Sequence, residues 1–414
     1  MIVRHRSLLI LTSVLTTGAL TLTACGSRDD DNKSEGGKKT TVVIGVDAPL
    51  SGDLSAIGIG IKNSVDLAAK MANKNNEVNG VTFKTQPLDD VANPSTGGQN
   101  ATKLVGQDDV LGVVGPLNSS VAQSMQKTFA SANLVQVSPA NTAPELTQGA
   151  KYATAKSRQF DTYFRTATTD ALQGPYAAQY AYNTLKLKTV YSVDDKKTYG
   201  AGLARTFRQE FTKLGGKVVA TDHINPDDRD FGAIATKIKN SKADFVYYGG
   251  EYPAGAPLSK QIKDAGAKIP VVGGDALQSA DYTKLAGKAA EGDFATSVGA
   301  PPEKLDTAKK FIADYKAAGY KEPYETYGAL SYDAAWVIVQ AVKQVMSDND
   351  GKLPSDPKEA RKKITEATQK VSFNGVTGNV GFDKYGDTTN RTLTVYQVKG
   401  GKHTPVKTGE LEAQ

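Results

Sequence analysis

VVGPLNSSVAQSMQKTFASANLVQVSPANTAPELT, residues Val113 to Thr147, reads as strand, turn, helix, strand and loop in close succession. The apolar run Leu111 to Val114 stops at a Gly115-Pro116 turn, and a helix opens at Asn118-Ser119-Ser120. A second strand, Leu134 to Val137, empties into Ser138-Pro139-Ala140-Asn141-Thr142. Two strand ends therefore meet one helix start. A helix N-terminus carries backbone N–H groups without intrahelical partners and the positive end of the helix dipole, so it favours an anion. The hydroxyls of Ser119, Ser120 and Thr142 stand where they add to those amides. Two readings fit the stretch: a cradle for a small carboxylate, or ordinary capping by Asn118 or Ser119 with no ligand.

Outward from this stretch, strand and helix keep alternating. Upstream come strand Thr41 to Val46, the loop Asp47 to Gly52, helix Ala56 to Ala72, strand Val81 to Leu88 and a helix after Pro94. After Phe164-Arg165-Thr166 the alternation restarts, with helices Pro175 to Leu185, Gly200 to Leu214, Phe231 to Asn240 and Pro257 to Ala265. Strands Thr189 to Val193, Val218 to Thr221, Asp244 to Tyr248 and Ile269 to Val272 lie between and after them. This is the pattern of two doubly wound α/β lobes with parallel sheets, and a chain of 414 residues is past the size at which one core splits. Two long helical patterns follow, Glu303 to Ala318 and Tyr327 to Met346. Ser347 to Lys363 reads as a surface loop entering a helix at Pro357.

The formal charge is +6, but lysines and arginines are dispersed among acids and aromatics make up only 7% of the chain, so nucleic acid is not an expected partner. The one cysteine, Cys25, closes a basic start (Arg4, Arg6), an apolar run from about Leu8 to Leu20, and Leu22-Thr23-Ala24. That run is short for a membrane span of about 20 residues and reads as a secretory signal, residues 1–24. Leu-Thr-Ala-Cys resembles a bacterial lipobox, which implies lipidation of Cys25 and an extracytoplasmic protein anchored to the outer face of the cell membrane. Residues 25–40, rich in charge and glycine, read as a flexible tether.

Enzyme signatures are missing. Gly58-Ile59-Gly60 is followed by Asn63 where a dinucleotide fingerprint needs its third glycine, and there is no phosphate-binding P-loop. Of three histidines, His5 lies in the leader, His223 ends a strand and His403 falls near the chain end, so no triad or metal cluster forms on paper. No cofactor, metal or catalytic residue is expected. Open α/β sheets bind ligands beyond the carboxyl ends of their strands, where this sequence puts Ser51, Ser119, Ala140, Thr142, Tyr199, Glu251, Tyr252 and Asp275. The set has hydroxyls, aromatics and acids but no nucleophile–base pair.

SPANTAPELTQ, with GPLNSS before it and DKKTYGAGLAR, DFVYYGGEYP and AAEG after it, resembles the leucine/isoleucine/valine-binding proteins, a branch of the type I periplasmic binding proteins. The resemblance keeps its order from about Val42 to about Asp383. It implies a three-crossover hinge near Arg165, Val298 and Phe382. The N-terminal lobe would comprise 41–165 and 299–382, the C-terminal lobe 166–298 and 383–404, with a tail over 405–414.

It also implies a zwitterion site, with Ser119, Ala140 and Thr142 on the α-carboxylate, Asp275 on the α-ammonium, and Tyr199 and Tyr332 in the pocket wall. Two positions depart from the family: Ile57 stands where relatives have a tryptophan, and Glu251 where an aromatic is common. The implied function is a monomeric binding protein that captures amino acids, chiefly Leu, Ile or Val, by hinge closure and hands them to an ABC permease. A binder of other small amino acids, amides or urea, or a sensory receptor component, are the alternatives.

Overall fold

The computed structural model describes residues 39–412. The expected leader, Cys25 and all but the end of the tether lie outside that range. The first strand, β1 (Thr40–Ala48), is almost wholly buried because its apolar run can be covered on both faces, as a central parallel strand requires. With β2 (Val81–Asp89), β3 (Val110–Val114), β4 (Gln136–Ser138) and β5 (Tyr163–Arg165) it forms a five-stranded sheet ordered β2-β1-β3-β4-β5, every pair parallel.

The second sheet repeats that order. Strands β6 (Thr189–Asp194), β7 (Lys217–His223), β8 (Phe245–Gly249), β9 (Val271–Gly273) and β10 (Phe294–Ser297) run β7-β6-β8-β9-β10, again parallel. A small ribbon, β11 (Ser372–Gly375) with β12 (Gly378–Gly381), precedes the last two strands. These, β13 (Leu393–Lys399) and β14 (Lys402–Gly409), extend the second sheet antiparallel beyond β10. The chain thus passes between the sheets three times: after β5, after β10, and between β12 and β13.

Helices α1 (Ser55–Lys74), α2 (Pro94–Val105), α3 (Ser119–Ser131) and the short α4 (Glu145–Gln148) belong with the first sheet. Helices α5 (Asp170–Gln179), α6 (Thr198–Lys213), α7 (Gly232–Ser241), α8 (Tyr252–Asp264) and α9 (Ala280–Ala286) belong with the second. The late helices return to the first lobe: α10 (Lys309–Ala317) and α11 (Gly328–Ser347) pack on α1, and α12 (Pro357–Thr368) packs on α11 and β3. Gly112 in β3 is what lets α11 approach, since a Cβ there would come within 2.9 Å of the Ile338 side chain.

Several expectations change: the helix expected from Pro257 begins at Tyr252 and keeps Pro257 inside it, and the one expected from Glu303 begins at Lys309 after two 3₁₀ turns. The helix expected from Pro175 begins at Asp170, with Thr169 as its extended N-cap residue and Pro175 inside it, and it continues into a π-helical turn, Tyr180–Thr184. The expected tail is strand as far as Gly409, because an edge strand carries lysines without cost when its outer side faces water. His403 therefore lies in β14 against the Tyr282 ring, 5.8 Å between centroids, and burial pushes its pKa down to about 4.

Candidate functional site

In doubly wound sheets the crevice opens where strand order reverses, between β1 and β3 here and between β6 and β8 in the other lobe. The loops that follow those strands meet. Leu54 and Ile57 from the start of α1, Leu117, Asn118 and Ser119 from the start of α3, and Ala140 after β4 form one wall. Tyr199, Glu251 and Ala276 form the other, and Tyr327, just before α11, closes the end. The space between them is about 20 Å³, room for about one water.

Asn118 has the extended backbone of an N-cap residue, yet its side chain does not cap α3. Its Nδ2 donates instead across the cleft to Glu251 Oε1. The positive end of α3 thus faces the cleft without a side-chain cap, and Ser119, 2% exposed, stands at its mouth. The N–H groups of Ala140 and Asn141 donate to Ser138 Oγ at 3.2 and 2.9 Å, which fixes the loop carrying Thr142. The Thr142 carbonyl accepts the Asp170 N–H at 2.9 Å, while its own hydroxyl is buried without a partner.

Negative charge gathers opposite. Gln173 Nε2 donates to Asp170 Oδ1 at 2.8 Å and to Asp275 Oδ1 at 3.1 Å, and its Oε1 accepts from Thr296 Oγ1 at 2.7 Å, which orients the amide. The Tyr199 and Tyr327 hydroxyls, each at 2.7 Å, donate to the two oxygens of Asp275. Both acids are fully buried behind these tyrosines; Asp170 Oδ2 makes no hydrogen bond of ordinary geometry, though Gln173, the Thr142 hydroxyl and the Arg165 charge all favour its ionised form. Burial, and then the neighbouring Asp275 charge, push Asp170 up to about 8. Burial also raises Asp275, against the pull of Tyr199, Tyr327 and Gln173.

The rim holds the lobes together. Arg229 pairs with Asp53 at 2.5 Å, Arg205 with Glu145 at 2.6 Å, and Thr198 Oγ1 donates to Gln123 Oε1 at 3.0 Å. Lys197 Nζ meets Glu251 Oε2 at 2.8 Å beside the cleft.

Residues 41–402 match the periplasmic binding protein family. The chain belongs to that family. It is 32% identical over 361 residues, 87% of this chain and 92% of the relative, to the Leu/Ile/Val-binding protein BraC3 of Rhizobium johnstonii. It is 30% identical to a leucine-, isoleucine-, valine-, threonine- and alanine-binding protein of Pseudomonas aeruginosa, covering 86% of this chain and 90% of that one. Among solved structures it resembles a leucine-binding protein, LivK, of Thermotoga maritima (TM-score 0.78, 27% identity, 89% of this chain and 99% of that one). It also resembles LivJ of Streptococcus pneumoniae in complex with isoleucine (TM-score 0.76, 25% identity, 88% and 100%). A benzoate-bound solute-binding protein of R. palustris, 22% identical with a TM-score of 0.75 over 89% of this chain and 96% of that one, has the same fold. The family binds solutes and is not one of enzymes, and it works outside the cytoplasm.

In this periplasmic binding protein, Ile57, Ser119, Ala140, Tyr199 and Glu251 line the cleft. Thr142 and Asp275 are buried behind it. Ser51 is exposed at the rim, donating to Asp89 Oδ2 at 2.5 Å, and Tyr252 ties the lobes by donating to the Asp53 carbonyl at 2.5 Å. Tyr332 is elsewhere, packed against Phe311 and Trp336 at 5.1 and 6.1 Å between centroids. Tyr327 takes the place expected for it. Tyr327 is the residue before α11 and reaches the cleft from there, whereas Tyr332 lies inside the helix among its packed aromatics. Asp170 and Gln173 were absent from the expected set, although they follow β5 and the strand-end rule applied there would have found them.

Proposed function

We propose that this protein is a lipid-anchored solute-binding component of an ABC importer that captures α-amino acids of the branched-chain size class by hinge closure and delivers them to its permease. One observation carries the reading: the cleft sets a helix N-terminus without a side-chain cap against two buried carboxylates, Asp170 and Asp275, that form no direct salt bridge among the described residues. Such a site is dipolar, and its complement is a zwitterion. The α-carboxylate goes to the start of α3 and to Ser119 and Thr142. The α-ammonium goes to Asp170 and Asp275, where it supplies the charge that they lack. Leu54, Ile57, Leu117 and Ala276 offer the side chain an apolar surface. The resemblance of the relatives that bind leucine, isoleucine or valine supports the size class.

Thermal unfolding tests the reading. An amino acid at about 100 times its Kd stabilises the folded state by about 2.7 kcal/mol, a readable rise in Tm. The reading fails if no α-amino acid raises the melt while a neutral amide or urea does. The anchor is read separately, as lipid mass on Cys25 in membrane-derived protein and its loss in Cys25→Ser.

A further inference from the structure

We infer that the cleft selects for a hydrogen-bond donor on the ligand side chain, so that threonine is preferred over its isostere valine, and that Asn118 and Glu251 determine this specificity. The inference rests on the amino-acid reading above and deepens it. Its starting point is one atom. Asn118 is 5% exposed and borders the cavity, and its Oδ1 is buried with no hydrogen-bond partner.

The orientation of that amide follows from its neighbour. Glu251 Oε1 accepts from Asn118 and Oε2 from Lys197, so the Asn118 group facing Glu251 is the NH₂ and the carbonyl oxygen is the one left over. Glu251 Oε2 takes the Lys197 ammonium at 2.8 Å, which offsets its charge and engages the cation next to the cavity. Each of its oxygens has accepted one donor and has capacity for another. Asn118 and Glu251 therefore bring acceptor capacity to this end of the cavity, beside the N–H groups at the start of α3.

Leu54, Ile57 and Leu117 stand in the same cavity. A side chain with one methyl and one hydroxyl meets both surfaces, the methyl against the aliphatic wall and the O–H toward Asn118 Oδ1 or Glu251. Valine replaces the hydroxyl by a second methyl and leaves that acceptor, already buried in the closed protein, with nothing to bond. Sites built to bond a hydroxyl reject the analogue lacking it, because the site's own polar group is left unpaired. Glu251 also bridges the lobes, and a bridge alone would strengthen closure over every ligand alike. The two roles separate in the ratio of affinities.

The experiment is calorimetric titration of the wild type, Asn118→Leu and Glu251→Gln with threonine and with valine, each variant first shown to melt cooperatively. The wild type is expected to bind threonine about tenfold or more tighter than valine. Asn118→Leu should bring the ratio toward one or reverse it, chiefly by weakening threonine, and Glu251→Gln should lower it less. Valine binding as tightly as threonine to the wild type would overturn the inference and leave the amino-acid reading intact. So would an equal loss for both ligands in Asn118→Leu, which would make the contact a latch. Failure of both ligands, with another solute class binding, would remove the amino-acid reading itself.

Discussion

Arg165 and Asp170 lie within one turn of chain at the first crossing, both fully buried, yet their charges are treated in opposite ways. Arg165 Nε pairs with Asp387 at 2.6 Å. Its other nitrogens donate to the carbonyls of Asn141 and Ala143, each at 2.9 Å, and to Thr147. Asp387 in turn accepts from Thr147 at 2.7 Å and Gln148 at 2.6 Å. Burial works against both charges, but the pairing prevails: Arg165 is held above its ordinary pKa and Asp387 below. Asp170 is pushed the other way and keeps an oxygen without a hydrogen bond of ordinary geometry. The first charge is completed by the chain and fixes the hinge. On the proposed function the second is completed by a cation from outside, which is how a binding site would differ from a structural ion pair of the same burial.

The comparison breaks most visibly at the hinge. Asp387→Asn leaves the Arg165 guanidinium buried without its counter-ion, and it should cost about 3–5 kcal/mol of stability in urea unfolding. Asp170→Asn should cost nothing and should raise the stability of the ligand-free protein. A similar loss in both variants would mean that the two regions do not differ.

Ligand affinity sharpens the cleft side. Asp275→Asn should weaken amino-acid binding by about 2–5 kcal/mol, because the bound ammonium loses a charged partner in a closed cleft. Ser119→Ala should cost about 1 kcal/mol, since the helix amides still hold the carboxylate. Should Asp275→Asn bind as tightly as the wild type, the ammonium is held without it.

The pH dependence of stability separates the regions by sign. Asp170 is raised from 3.8 to about 8, Asp195 to about 7 and Asp90 to about 6, so between those limits the folded state keeps protons that the unfolded state has lost. Their part of the stability falls as pH rises from about 4 to about 8. Asp387 is lowered, so its contribution is present above the ordinary carboxylate value and disappears as pH falls below it. Urea midpoints of the wild type and Asp170→Asn at pH 5 and 8 should show a steeper fall with pH in the wild type.

The fold was legible because apolar runs at strand length alternate with helical periodicity, and parallel strands buried on both faces leave little else for TVVIGV or VLGVV to be. Strand-end positions carried Ser119, Tyr199 and Asp275 into the site. What the resemblance could not give was which tyrosine of this chain lines the cleft, so Tyr332 stood for Tyr327; what the pattern could not give was long-range pairing, so Asn118 read as a candidate cap where it reaches Glu251 in the other lobe. Asp170 lies outside the helix expected from Pro175; its full burial, and then the neighbouring Asp275, make it unusual.

The central claim, that buried acids wait for the ligand's ammonium, has a direct thermodynamic signature. With burial raising Asp170 to about 8, its protonated form is favoured in the empty protein at pH 7, and an arriving ammonium should ionise it. Calorimetric titration with a bound amino acid at pH 7, in two buffers of different ionisation enthalpy, counts the protons exchanged. The account predicts release of up to about one proton per ligand, with affinity rising as pH approaches about 8. Heats independent of buffer, with no proton released, would contradict it.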